Sequence, residues 1–424
     1  MIFLLFLLSF FSLLMQPCAG HTGLAAVDRP DETVALKKAP PKNQPANDFG
    51  LSHVKKIRVL LEEIDTKQEK KITLQSPDGF VLESPLGSGT TALFQDPELC
   101  LSYKKNQLYM KCKDQKYRRI KNNNIEVCNS SHHLKVNGTT YQGSITIQLE
   151  ASKDRLLIIN TLNLEDYVYS VLGSEAIPSW PMEMLKIQAI ASRTFALFSM
   201  KQAGKKNKNP HYDIKNTNHC QIYNGIHNHK HLKKAVDDTQ GLILTYKDKV
   251  ALTMFDICCG GVIPGHLRYR DNSKPYLCRT HRCTYCSNAS FFRWKEDVHH
   301  RTFLDQLKNH PRLGKKFKNF GNKLTDIQIL DKDKAGIVHK VKLIGARNHV
   351  TLSGKDIKAG FKQKVKSVAF SIKKIRDRIV ATGNGYGHHS GLCQWGAKAL
   401  VDNGWYYKKI LNFYYPHTKL STLK

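Results

Sequence analysis

Past its first fifteen residues the sequence has no apolar run long enough to span a bilayer, which excludes a chain threaded repeatedly through a membrane by helices. Acids are scarce: 35 Asp and Glu stand against 66 Lys and Arg, a formal charge of +31. No internal repeat is visible, so the architecture is not an array of one small unit. Apolar residues make up 41% of the chain, below the globular average yet well above that of disordered chains. With 424 residues there is length for one large domain, or two to three smaller ones, around a real core.

Nothing cationic precedes the opening run "MIFLLFLLSFFSLLMQPCAG" except the terminal amine. The run is short for a membrane span, and small residues follow at Ala19 and Gly20. It reads as a secretory signal peptide over 1–20, with an uncleaved anchor as the alternative. The residues before Cys18 are not the small ones that a lipid-attachment box requires. Export to the periplasm or cell envelope changes the meaning of the positive charge. In the cytosol it would point to nucleic acid. Outside, it would hold the protein on an anionic envelope or membrane surface, and no nucleic-acid partner is expected. Ten cysteines remain after residue 20, and an oxidising compartment would allow them to pair.

Residues 21–54 are polar with several prolines and read as a flexible leader. Strand signals dominate a β-rich N-terminal subdomain over 55–150, in "IRVLLEEI", "KITLQSPDGFVLES", "QLYMKC" and "TYQGSITIQLE", and continue through "DRLLIINTL". The period then becomes helical. Asn163 is a suitable N-cap, Glu165 and Asp166 fall in the first turn, and Leu164, Val168, Val171 and Leu172 form an apolar stripe. Pro178 ends this helix. A second starts at Pro181 and runs through "MLKIQAIASRTFALFSM", apolar almost all round and hence buried. Further on, "GLILTYKDKVALTMFDI" reads as a hairpin turning near Asp248, and 295–322 as a basic amphipathic helix. Strands follow in "KLTDIQILDKD", "IVHKVKLIG" and "IRDRIVATG", then a glycine-rich loop and short helices near 393–402 and 406–413. The fold class expected is α+β, with a core over 151–420 and a smaller lobe inserted around 295–375.

One carboxylate stands out. Continuing the stripe from Val171 by four residues lands on Glu175, so it faces the way the core residues face. A helix C-terminus disfavours negative charge, and Ala176, Ile177 and Trp180 lie beside it. Both influences favour the protonated acid, which is what protonating a glycosidic oxygen requires. The alternatives are a frayed last turn in solvent, or a local partner such as Arg193, itself a cation in an apolar helix. Arg193 either pairs with a carboxylate or orients a sugar acid. Cys283-x-x-Cys286, with Cys258, Cys259 and Cys278 upstream, fits a zinc site and disulfides equally.

Several of these stretches together resemble the SpoIID/LytB family, the stage II sporulation protein D group. The resemblance rests on "LNLEDYVYSVLGSEAIPSWPMEMLKIQAIASRTFAL" (162–197) and "GNGYGHHSGLCQWGAKALVDNGWYYKKILNFYYPHTKL" (383–420). Between them, in order, stand "NHCQIYNG" (218–225), "CGGV" (259–262) and "CTYCSNASFFRW" (283–294), and "YQGSITI" (141–147) precedes the first. Together they cover roughly 55–420.

The resemblance implies a peptidoglycan lytic transglycosylase. Such an enzyme cleaves glycan strands between N-acetylmuramic acid and N-acetylglucosamine without water, leaving a 1,6-anhydro sugar. One carboxylic acid serves as acid and then base, and the family's catalytic Glu carries over to Glu175. The family has "EMP" where this chain has "EAIP", one residue longer. The glycine-rich motif belongs to the family's substrate groove, which implies binding roles for His388, His389, Gln394 and Trp395; the alternative is a structural turn with Trp395 in the core. Gln221 and Tyr223 are expected in the same groove, with Arg193 as a further substrate contact. Some relatives bind zinc near the catalytic Glu, which makes His219 and Cys220 metal candidates beside Cys259, Cys283 and Cys286, although Ile214 stands where such relatives carry Cys. No cofactor is required by this chemistry; a structural zinc is left open. Two other functions remain. LytB-like members are non-catalytic enhancers of a cell-wall amidase, which would make an amidase the partner. A hydrolytic muramidase would need a second carboxylate such as Asp213 or Asp256.

Overall fold

Alternating burial along "KIRVLLEEID" makes Lys56–Asp65 a strand with one enclosed face, while its partner Arg155–Asn163 is buried almost throughout. They pair antiparallel from Lys56 opposite Asn163 to Asp65 opposite Arg155, with a bulge between Leu60 and Glu62. The computed structural model describes residues 56–423 apart from 69, 84–90, 113–115, 121–122, 208–209 and 269. The signal peptide and leader expected over 1–54 lie outside the described residues.

This pair sits in a seven-stranded sheet. Its order is Ile214–Lys215, Lys56–Asp65, Arg155–Asn163, Ser144–Glu150, Asn124–Cys128, Phe80–Glu83 and Thr91–Phe94. A six-stranded sheet takes the rest of the N-terminal part, from Thr139–Gln142 at one edge to Arg118–Arg119 at the other. The chain is α+β, as the segregation of strand and helix signals implies.

Among the described residues there are seven α-helices: α1 Leu164–Glu175, α2 Met182–Lys206, α3 Lys230–Asp237, α4 His300–Lys308, α5 Gly354–Gly360, α6 Gln394–Asp402 and α7 Tyr407–Tyr414. The stripe on α1 is inward: Leu164, Tyr167, Val168, Val171 and Leu172 are buried. Helix α1 stops at Glu175 because Ala176 is extended and Pro178 follows. Pro181 is the N-cap of α2, one residue outside the position expected. The first half of α2 is enclosed on all sides, from Met184 to Leu197.

A single apolar cluster includes Leu74, Leu99 and Leu101 of the six-stranded sheet, Ile57 and Ile158 of the seven-stranded sheet, and residues of α1, α2, α3, α6 and α7. The division expected at residue 150 therefore falls inside a continuous core. A second cluster of buried residues runs from Trp294 to Ala381. Within it, 295–322 is not one helix. Arg293–His299 is a strand paired with Arg378–Asn384, and only His300–Lys308 is α-helical. Trp294 lies on the inner side of that strand while Arg293 and Lys295 point out, a period of two that the basic residues had disguised as amphipathic helix.

Candidate active site

Glu175 is the last residue of α1, and two distant segments close on it. Its Oε1 accepts a hydrogen bond from the backbone N–H of Ile222 at 2.8 Å. Its backbone carbonyl accepts one from the side-chain amide of Gln394, the first residue of α6, at 2.9 Å. The same amide lies 3.3 Å from Oε1 of Gln188 on α2. The residue as a whole is half-buried, yet its carboxyl is surrounded closely enough that burial raises its pKa to about 7. The Ile222 N–H pulls the other way, since it favours the carboxylate, and it loses to desolvation.

The Ile222 amide is aimed by its neighbours. Gln221 accepts from the Tyr167 hydroxyl at 3.0 Å and reaches the Ser192 carbonyl at 3.4 Å. The Tyr223 hydroxyl donates to Oδ1 of Asn160 at 2.5 Å, its ring stacks on Tyr167 at 5.4 Å, and its N–H is held by Asn216. Side chains at 221 and 223 thus point inward and turn the amide between them toward Glu175. On the same helix, Tyr169 receives His229 N–H and donates to the His227 carbonyl, and the His227 ring covers Gly173. A Cβ at Gly173 would stand inside that ring, so only glycine fits two residues before Glu175.

Trp395 follows Gln394 and is half-buried, meeting the buried Trp180 edge to face at a centroid distance of 6.1 Å. His388 has 43% of its side chain exposed and lies 3.1 Å from Oδ1 of Asp256. These two keep surfaces open to a ligand.

Five sequence assignments are corrected by burial, among them Gln394, which is 4% exposed and spends its side-chain amide on the Glu175 carbonyl and Gln188. Arg193 is completely enclosed. It makes a bidentate pair with Glu165 at 2.8 and 2.6 Å and donates to the Leu242 carbonyl at 3.1 Å, so it is a structural ion pair and not a sugar contact. Gln221 and Tyr223 are each 1% exposed and build the loop instead of lining a groove. His389 is buried too: its ring Nδ1 is 3.1 Å from the Cys259 carbonyl, and burial lowers its pKa, so the imidazole is neutral. Its N–H and that of His388 both bond the Asp256 carboxylate, which ties down the glycine-rich loop. Ile222 and Gln188 were missed by the sequence reading. A backbone donor leaves no residue signature, and Gln188 is one polar residue in an apolar helix.

Of the metal candidates, His219 is exposed and Cys220 half-buried, and they join no group of three or more potential ligands among the described residues. Ile214 packs as a buried strand residue beside Val59 where relatives would supply a ligand. These residues do not fit the zinc site of such relatives. Cys259, Cys283 and Cys286 do come together, with Cys393 as a fourth that the sequence reading did not include.

Comparison with known proteins agrees with this geometry in where it falls along the chain. The family model SpoIID, described as "Stage II sporulation protein", matches residues 152–246, which hold α1, α2 and the 216–225 loop. A domain of unknown function (DUF8618) matches 219–391. An uncharacterised protein of Brachyspira hyodysenteriae is 34% identical over 282 residues, 66% of this chain and 72% of the relative. Stage II sporulation protein D of Bacillus subtilis is 26% identical over 62% of this chain and 76% of its own length. An amidase enhancer of the same organism is 24% identical over 72% of this chain, and the match spans 47% of that relative.

Proposed function

This chain belongs to the SpoIID/LytB family and has a cell-wall-related role, and from that premise we propose that it is an exported peptidoglycan lytic transglycosylase with Glu175 as its acid and base. The observation that carries the reading is the raised carboxyl of Glu175 at the junction of α1, α6 and the 216–225 loop.

With its pKa at about 7, Glu175 is substantially protonated at neutral pH. The proton passes to the oxygen bridging N-acetylmuramic acid and N-acetylglucosamine, and the bond from that oxygen to C1 breaks. The C6 hydroxyl oxygen then attacks C1, and its proton returns to the Glu175 carboxylate. A 1,6-anhydro bond replaces the glycosidic bond, no water is consumed, and the enzyme ends as it began. A pKa near the working pH suits a group that must give a proton and take one back. The Ile222 N–H steadies the carboxylate in the interval between. Trp395 offers a face for a sugar ring, and His388 an exposed imidazole at the rim whose two nitrogens are held by Ser390 and Asp256.

Two features weigh against a hydrolytic muramidase, which would need a free second carboxylate to activate water. Asp213 is held by Arg58 through both oxygens. Asp256 is occupied by the amides of His388 and His389. The second reading, an enhancer of a cell-wall amidase, is favoured by the similarity to a protein named amidase enhancer. Glu175→Gln separates the two. Incubated with purified glycan strands, the wild type is expected to shorten them and Glu175→Gln to leave them intact. Equal shortening by both would remove Glu175 from the chemistry, and no shortening by the wild type, with stimulation of an amidase by both proteins, would establish the enhancer.

A further inference from the structure

Cys259, Cys283, Cys286 and Cys393 are all buried, and their four sulfurs lie within 4.8 Å of one another. Zinc holds thiolates at about 2.3 Å in a tetrahedron, which separates the sulfurs by roughly 3.8 Å. The Cys259 and Cys286 sulfurs are 3.6 Å apart. A pair of disulfides would need two close pairs rather than one mutual group of four. We propose that these four cysteines form a tetrahedral zinc site that fixes the start of α6 against the catalytic helix end.

The surroundings suit thiolates. Cys393 Sγ accepts from the backbone N–H of Cys259 at 3.2 Å and of Gly396 at 3.3 Å. The Tyr414 hydroxyl lies 3.2 Å from Cys283 Sγ. Gly396 is glycine for a steric reason: a Cβ there would stand 2.8 Å from Cys283 Sγ. Charge is compensated nearby. Arg279 is 4% exposed, its Nε and one terminal nitrogen have no hydrogen-bond partner, and its guanidinium lies 5.6 Å over the ring of Tyr414. A buried cation without a carboxylate partner is costly, and a doubly negative tetrathiolate at the hydroxyl of the same Tyr414 would offset part of that cost. Cys258 is buried beside Cys259 with its thiol against Cys286 and Cys393, at the border of the group of four, and Cys278 is half-buried with its thiol toward the carbonyls of Asp271 and Lys274.

Binding replaces four S–H protons by one Zn²⁺, so up to four protons are released and no electrons move. The consequence follows from the register. Cys393 is the N-cap of α6, and the next residue, Gln394, holds the Glu175 carbonyl. The site itself does not rest on the transglycosylase reading; only this consequence does.

The test uses the purified protein without added metal. Elemental analysis is expected to find about one zinc per chain, and cobalt(II) exchanged into the site is expected to give sulfur-to-cobalt charge-transfer bands and the visible bands of a tetrahedral tetrathiolate. Cys393→Ser weakens zinc binding by roughly a hundredfold or more, while Cys278→Ser leaves stoichiometry and cobalt spectrum unchanged. A peptide mass map of metal-free wild type that places disulfides among Cys259, Cys283, Cys286 and Cys393 would overturn the proposal. So would a cobalt spectrum without sulfur bands, or an unaltered spectrum in Cys393→Ser. Because the wild-type spectrum and mass map stand alone, a variant that fails to fold does not spare the proposal.

Discussion

The side-chain amide of Gln394 donates to the backbone carbonyl of Glu175 across 2.9 Å, joining the start of α6 to the end of α1 over 219 residues of sequence. The carbonyl is one of those a helix leaves unpaired at its C-terminus. Satisfying it from a distant segment makes the position of the Glu175 carboxyl depend on the glycine-rich loop.

Replacing Gln394 by Leu keeps the volume and removes both of its hydrogen bonds. About 1–2 kcal/mol of stability should be lost on thermal or urea denaturation. Turnover of glycan strands should fall by roughly tenfold to a hundredfold, because small misplacements of a reacting group are costly. KM should hold while kcat falls; a rise in KM at unchanged kcat would instead make Gln394 a sugar contact.

Arg193 should behave as a structural residue. Its guanidinium is enclosed and its partner Glu165 keeps 28% of its side chain exposed. Removing the cation leaves a partly exposed acid behind, so Arg193→Ala should cost about 3 kcal/mol, at the low end for a broken buried pair. The folded fraction should bind glycan strands as tightly as the wild type, measured by co-sedimentation. Weakened binding by fully folded protein would restore the substrate-binding role.

The raised pKa of Glu175 has a consequence for stability. The folded protein holds its proton up to about pH 7, whereas the unfolded chain releases it near the ordinary value of 4.5. The contribution is therefore complete below about 4.5 and declines as pH rises through 7. The penalty for ionising a buried carboxyl is then on the order of 3 kcal/mol. Glu175→Gln, which cannot ionise, should be more stable than the wild type at pH 8 and about equal to it at pH 4. Melting curves at the two pH values check this, and an equal difference at both would mean that the carboxyl ionises normally.

The helical part of this architecture was legible because its signals are local. Asn163 and Pro181 mark the starts of α1 and α2 to within a residue, Pro178 stands three residues beyond the end of α1, and the stripe from Leu164 to Val171 leads directly to Glu175. The sequence misled where polarity was taken as exposure. Arg193, Gln221, Tyr223 and His389 carry hydrogen-bonding groups that are satisfied inside the protein. Strand pairing was not legible, since Lys56–Asp65 finds its partner about a hundred residues later. Nor was Cys393 recognisable as a companion of Cys283 and Cys286, because the segments meet only when α6 and α7 pack on that turn.

The most direct measurement is the mass of the new strand ends made by the wild type on purified peptidoglycan. Ends lighter by one water than a reducing muramic acid, absent from a Glu175→Gln digest run beside it, are the expected result. Reducing ends that take up oxygen-18 from labelled water would contradict a lone carboxyl acting as both acid and base.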